Sequence, residues 1–287
     1  MMVLSETAAS INQKLAEMNY RQQLMDTFAK MQQLPADERP QSLKFPDKVK
    51  QTTVELEACS IRRLTLTDTT KGELLMLHGG AFILPASTAF NQVALTFMKM
   101  GYAVTIPDYP LAPAGLVNVR QWILKVYQDW MNQSQAERHY LWGDSAGANI
   151  VLRLLLDIRE NSLKIPDASA LVSLCPDTTF NVSKTAAQQD LVLDPKRMRC
   201  MQNDVGYQQF DFMQQTDFSH IGRLRLDSGG NECVVDSVKT IAQKCELADG
   251  NAVDCIIHPC LVHDYPMWQS MPEAKATLKE IDKFFQM

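Results

Sequence analysis

The chain has 287 residues, 46% of them apolar, and a net charge of −5 with both signs interspersed. That length holds one large α/β domain or two small ones, and without a basic stripe neither nucleic acid nor an anionic membrane is an expected partner. Seven dispersed cysteines, an odd number with no Cys-x-x-Cys pair, fit neither a disulfide framework nor a zinc site.

Such cysteines are expected as reduced, buried small hydrophobes of a cytoplasmic protein. Residues 1–34 carry Ile11, Leu15, Met18, Met25 and Phe28 at helix-face spacing. Their start lacks the basic and apolar stretches of a secretory signal, and no apolar run is long enough to span a membrane. This helical region reads equally as a plain packing helix or as a mobile cap over a pocket. Pro35, Pro40 and Pro46 then break it into an extended connector. From about residue 52, strands and helices alternate. Val54–Leu64 and Glu73–Leu77 are expected strands, followed by a helix near Ala89–Met100, a strand at Tyr102–Ile106 and a helix over Val117–Met131. A short strand at Tyr140–Trp142 leads through a turn into a helix to about Glu160, and Ala168–Leu174 and Ala252–His258 are apolar strands. Residues 180–219 are polar and read as an insertion. Arg223–Asp227 is a charged segment where a central parallel strand should be continuously apolar. A capping box, Ser270 to Glu273, is expected to open the last helix. Alternation of this kind implies a largely parallel sheet covered on both faces.

The turn before the Ile150–Ile158 helix reads Gly143-Asp144-Ser145-Ala146-Gly147. A serine at a strand–tight turn–helix junction is the arrangement of a nucleophile elbow, where the helix N-terminus faces a developing oxyanion. Upstream, His78-Gly79-Gly80-Ala81 follows a strand, and consecutive glycines leave backbone N–H groups open to an anion. The expected donors are Gly79, Gly80 and Ala146. A base for Ser145 must come from five histidines. His263, in the loop after the Ala252–His258 strand, fits best because catalytic groups of such sheets collect at the carboxyl ends of strands. His258 is the alternative. The orienting acid should fall between serine and histidine, where Glu232 and Asp236 follow Gly229-Gly230. Glu232, nearest the glycine break, has the shorter route.

Together these anchors, with Asp108-Tyr109-Pro110-Leu111-Ala112-Pro113, resemble the hormone-sensitive-lipase-like group of α/β-hydrolases, in particular bacterial carboxylesterases. The resemblance runs from about residue 55 to 287. It implies a single domain over 1–287, with a mostly parallel central sheet flanked by helices and a small helical cap from 1–45 and 180–219. It implies Ser145, Glu232 and His263 as triad, Gly79, Gly80 and Ala146 as oxyanion hole, and hydrolysis of small short-acyl esters through an acyl-enzyme. No metal or organic cofactor, nucleic acid or stable membrane insertion is expected; a small-molecule ester is the expected partner, with a homodimer allowed. The alternative on the same fold is a non-catalytic small-molecule binder, as in plant gibberellin receptors. The chain departs from the group's pattern at Ala81, where a third glycine is usual, and at Ala114-Gly115, where an acid is usual.

Overall fold

The computed structural model describes residues 4–39, 44–57, 59–66, 71–113, 115–201 and 205–287. Pro40, Ala114 and parts of the 1–45 and 180–219 segments lie outside them. The expected N-terminal helix is two helices, α1 (Glu6–Glu17) and α2 (Tyr20–Gln32), with Asn19 between them at φ 50°. Asparagine tolerates this left-handed backbone better than most residues, so the chain turns there. The expected Val54–Leu64 strand is instead a hairpin of β1 (Lys50–Leu56) and β2 (Cys59–Thr65), reversing at Glu57 with φ 51°.

β3 (Gly72–Leu77), α3 (Thr88–Lys99), β4 (Tyr102–Pro107) and α4 (Val119–Gln133) follow, then β5 (His139–Asp144), α5 (Ala146–Glu160) and β6 (Ala168–Val172). The polar insertion holds two short helices, α6 (Lys184–Gln189) and α7 (Pro195–Met201). The chain closes with β7 (Gly222–Gly229), α8 (Val235–Leu247), β8 (Asn251–His258) and α9 (Pro272–Gln286). The eight strands form one sheet in the order β1-β2-β4-β3-β5-β6-β7-β8, antiparallel at β1–β2 and β2–β4 and parallel from β4 to β8.

Both faces of the sheet are covered, so its central strands are largely buried and mostly apolar. Leu75, Leu77, Leu141 and Leu171 point into the core shared with α4, α5 and α8. Leu74, Met76, Tyr140, Trp142 and Val172 point into the core shared with α3 and α9. The period of two along each strand makes this division.

β7 obeys the same alternation despite its charges. Leu224 and Leu226 join the first core, while Arg223, Arg225 and Asp227 share the other face. There the Arg223 guanidinium lies 4.9 Å from the Phe284 ring centroid and donates to the Phe284 carbonyl at 2.8 Å. Fully buried Asp227 accepts from Arg225 at 2.7 Å and lies 2.8 Å from His258 Nε2. A buried carboxylate is tolerable because it is paired on both sides. The expected capping box is not made. α9 starts at Pro272 with Met271 as its cap, and Glu273 accepts instead from the Ser5 amide at 2.7 Å and hydroxyl at 2.8 Å. That carboxylate ties the start of α1 to the start of α9.

Candidate active site

β5 ends in a backbone that only a tight turn permits. Ser145 has φ 48° and ψ −116°, and its amide donates to the Val172 carbonyl at 2.9 Å on the neighbouring strand end. Gly147 is required by crowding, since a Cβ there would overlap the Leu77 carbonyl oxygen and lie 2.7 Å from that of His78. The first turn of α5 therefore packs against the end of β3. Strain of this type costs on the order of 1–3 kcal/mol and is typical of functional turns.

The structure brings Ser145, His263 and Glu232 into one hydrogen-bonded line. Ser145 Oγ is 2.9 Å from His263 Nε2, and His263 Nδ1 is 2.9 Å from Glu232 Oε2. All three are buried. The other Glu232 oxygen accepts from the Gly229 amide and from Ser173 Oγ, so the carboxylate cannot rotate without breaking bonds. Asp236 is not part of this group. Its side chain, in the first turn of α8, is 92% exposed. His258 is held by Asp227, and His139 and His220 lie at the amino ends of β5 and β7.

The His78–Ala81 loop follows β3 on the same rim. Burial pushes His78 down to about 4, so it is neutral at neutral pH, with Nδ1 2.8 Å from the Gly79 carbonyl. Its ring stacks on Tyr109 at a centroid separation of 4.3 Å, and the Tyr109 hydroxyl donates to the His78 carbonyl at 2.7 Å. The Asp108–Pro113 segment thus buttresses the loop. Gly80 has φ 103°, and its carbonyl accepts from the Ile83 and Leu84 amides, both at 2.9 Å. Ala81, where the related pattern has glycine, adopts φ 56°. Ala146 is the first residue of α5, and amides of a first helical turn have no intrahelical acceptor. Arg39, unnoticed in the sequence, donates to the Ile83 and Ala112 carbonyls at 2.6 and 2.7 Å and locks the connector onto this loop.

Ser173 and Asp190, to which the sequence assigned no role in the site, join it together with Asp264, the neighbour of the histidine. Ser173 Oγ donates to Glu232 and accepts from the Asp264 amide at 2.9 Å. Asp190, in the insertion, accepts from the Val192 and Leu193 amides and from the Cys233 amide, all at 2.8 Å, joining the insertion to the Glu232 loop. Asp264 Oδ2 lies 3.5 Å from His263 Nε2. Ser173 and Asp264 follow the carboxyl ends of β6 and β8, where functional groups of parallel sheets gather; nothing local marks Asp190.

These charges act on one another. Burial works against a protonated His263, but the carboxylates of Asp264 and Glu232 outweigh it and raise its pKa above the ordinary value. Burial and the facing charge of Asp264 push Asp144 well up. The line opens on a cavity of about 290 Å³ walled by Tyr20, Leu24 and Phe28 of α2, Phe90 of α3, Met198 of α7, and Trp268. Among the described residues no group of His, Cys, Asp or Glu side chains is arranged to hold a metal ion. None of the described helices is long and apolar enough to cross a membrane.

A serine on a strand–helix turn, facing a loop histidine across the carboxyl edge of a mostly parallel eight-stranded sheet, defines the class as an α/β hydrolase by architecture. Residues 74–267 match the family model of the alpha/beta hydrolase fold. The chain belongs to that family. It is 27% identical over 224 residues to an esterase of Acinetobacter venetianus, covering 72% of each. It is also 27% identical over 143 residues to a triacylglycerol lipase of Mycobacterium tuberculosis, covering 48% of this chain and 33% of that protein. A second protein of that organism is matched over 42% of its length, so the chain spans less than half of two of these relatives. In fold it is similar to a hormone-sensitive lipase from a metagenome library, with a TM-score of 0.79 at 20% identity, covering 99% of this chain and 98% of that one. An esterase/lipase from an uncultured bacterium gives 0.74 at 19% identity over 92% and 97%.

Proposed function

We propose that this chain is a serine carboxylesterase acting on small, short-acyl esters. The observation that carries the reading is the unbroken line Ser145–His263–Glu232, at 2.9 Å and 2.9 Å, opening on a largely apolar cavity. Esterase and lipase relatives support ester hydrolysis as the reaction. His263 takes the Ser145 proton as Oγ attacks the ester carbonyl, and the amides of Gly80 and Ala146 receive the oxyanion, while the Gly79 amide, expected to join them, donates to the Asp144 carboxyl. His263 then returns the proton to the leaving alcohol, and water repeats the sequence on the acyl-enzyme. Residues 1–45 and 180–219 act as cap elements on a single domain, since α2 and α7 both wall the cavity. Cysteines free among the described residues suit a reducing cytoplasm.

A series of p-nitrophenyl esters tests the substrate class. Each buried methylene adds about 0.8 kcal/mol until the cavity of about 290 Å³ is full. Activity is expected to peak between acetyl and hexanoyl and fall steeply beyond. Rates that kept rising through palmitoyl, or that jumped when substrate formed an emulsion, would mark a lipase instead.

The pH profile follows from His263. The base must be neutral to accept the serine proton, and Asp264 and Glu232 favour its charged form. Activity is therefore lost as pH falls through the raised pKa, so the acid limb of kcat/KM should have its midpoint above the ordinary imidazole value of 6.5. Asp264→Asn should move that midpoint down. A limb at or below the ordinary value in the wild type would contradict this electrostatic reading.

A further inference from the structure

The cavity beside Ser145 is apolar along most of its wall, yet it holds two aspartates and, among its lining residues, neither lysine nor arginine. Asp144 and Asp264 each have one carboxylate oxygen, Oδ1, that is buried without a hydrogen-bond partner among the described residues. Asp144 is only 4% exposed. Burying carboxylate oxygens without partners is costly; at Asp144 the Gly79 amide donates to the carboxyl and burial favours its protonated form, whereas the side chain of Asp264 stays partly exposed, with Oδ2 beside His263. The charge nearest Asp264 is His263, whose two ring nitrogens already face Glu232 and Ser145. The hydroxyl of Tyr20 feels the charge of Asp264 as well, and Tyr20 meets Trp268 edge-on at 6.3 Å between centroids. A partly exposed carboxylate lining the same cavity as two aromatic rings suits an alkylammonium group, which gains a charge-assisted hydrogen bond and a cation–π contact together.

The direction in which such a group would lie also follows. His263 Nε2 delivers its proton to the leaving oxygen, and Asp264 Oδ2 is 3.5 Å from that nitrogen. The acidic wall therefore borders the alcohol half of the ester. We infer that the site prefers esters of amino alcohols, with the protonated amine of the leaving alcohol seated between Asp264, Tyr20 and Trp268. This rests on the ester-hydrolase reading and adds the chemistry of the alcohol to it.

Dimethylaminoethyl acetate and isopentyl acetate are isosteres that differ by a positive charge with one N–H. Their kcat/KM ratio, divided by the ratio of their hydroxide-catalysed rates, isolates recognition of that charge. In the wild type at neutral pH the ammonium ester should be favoured on the order of tenfold or more, the size of one charge-assisted hydrogen bond, with the gain mainly in KM. In Asp264→Asn the ratio should fall close to one, whatever that change does to turnover in general. A wild-type ratio near or below one overturns the inference without recourse to any variant, as does a preference that survives Asp264→Asn. Turnover of p-nitrophenyl acetate separates the two readings. Were it absent, ester hydrolysis would fail, and calorimetric binding of dimethylaminoethanol against isopentanol would still decide the ammonium site, tighter binding of the amine supporting it and equal binding refuting it.

Discussion

Replacing Ser145 by alanine is expected to lower hydrolysis of p-nitrophenyl acetate on the order of a million-fold, to the residual level left by binding and oxyanion donors alone. The change deletes one oxygen, the atom 2.9 Å from His263 Nε2, and leaves Cβ and the hydrogen bond from the residue-145 amide to the Val172 carbonyl in place. Folding should survive, which circular dichroism and thermal unfolding would check. A hydroxyl activated by an adjacent base also reacts with fluorophosphonates, whereas an ordinary turn serine does not. Mass spectrometry should find one adduct, on the peptide containing Ser145, and none in the variant. A fully folded alanine variant with rates within tenfold of the wild type would end the serine mechanism. A wild-type protein without turnover or adduct would point to the non-catalytic binder.

The second large effect belongs to the acid. Glu232→Gln should reduce kcat by about four orders of magnitude with little loss of stability. The amide oxygen of the glutamine can still accept from the Gly229 amide and Ser173 Oγ, as Glu232 does now. Its NH₂ would then face His263 Nδ1, which must turn acceptor, and the ring proton would move to Nε2. That tautomer cannot take a proton from Ser145. Asp236→Asn should change the rate by no more than a few-fold, because the Asp236 side chain points into solvent. If the two variants exchanged these behaviours, Glu232 would be a structural carboxylate and the proposed chemistry would lose its orienting group.

Much of this site was legible because its signals are local. A strand, a glycine-flanked serine and a core-facing helix sit within about twenty residues, and the backbone they demand is dictated by neighbours in the chain. The same holds for the His78–Ala81 loop and for Glu232 just past Gly229-Gly230. Locality also explains the misreadings. Nothing in Glu57 announces a reversal, so β1 and β2 looked like one strand until their pairing made two. The Ser270–Glu273 box satisfied a local rule, but a partner far away in sequence, Ser5, claims the Glu273 carboxylate.

By itself the sequence determined the order and type of most elements, the elbow, the glycine loop and the short set of groups from which a base and an acid had to come. The choice of Glu232 over Asp236 became geometric only in the folded chain, where the first is buried against His263 and the second faces water. Sheet register decided that Asp227 would meet His258, by pairing Asp227 with Ile256 and Gly229 with His258 across β7 and β8. Tertiary structure alone set Ser173 between Glu232 and Asp264, residues 59 and 91 positions away from it. It alone also turned Asp144 and Asp264 towards one cavity. Backbone preferences act over a few residues and are written in the sequence there. Pairing of buried polar groups depends on which distant segments share a strand end, and only the assembled sheet decides that.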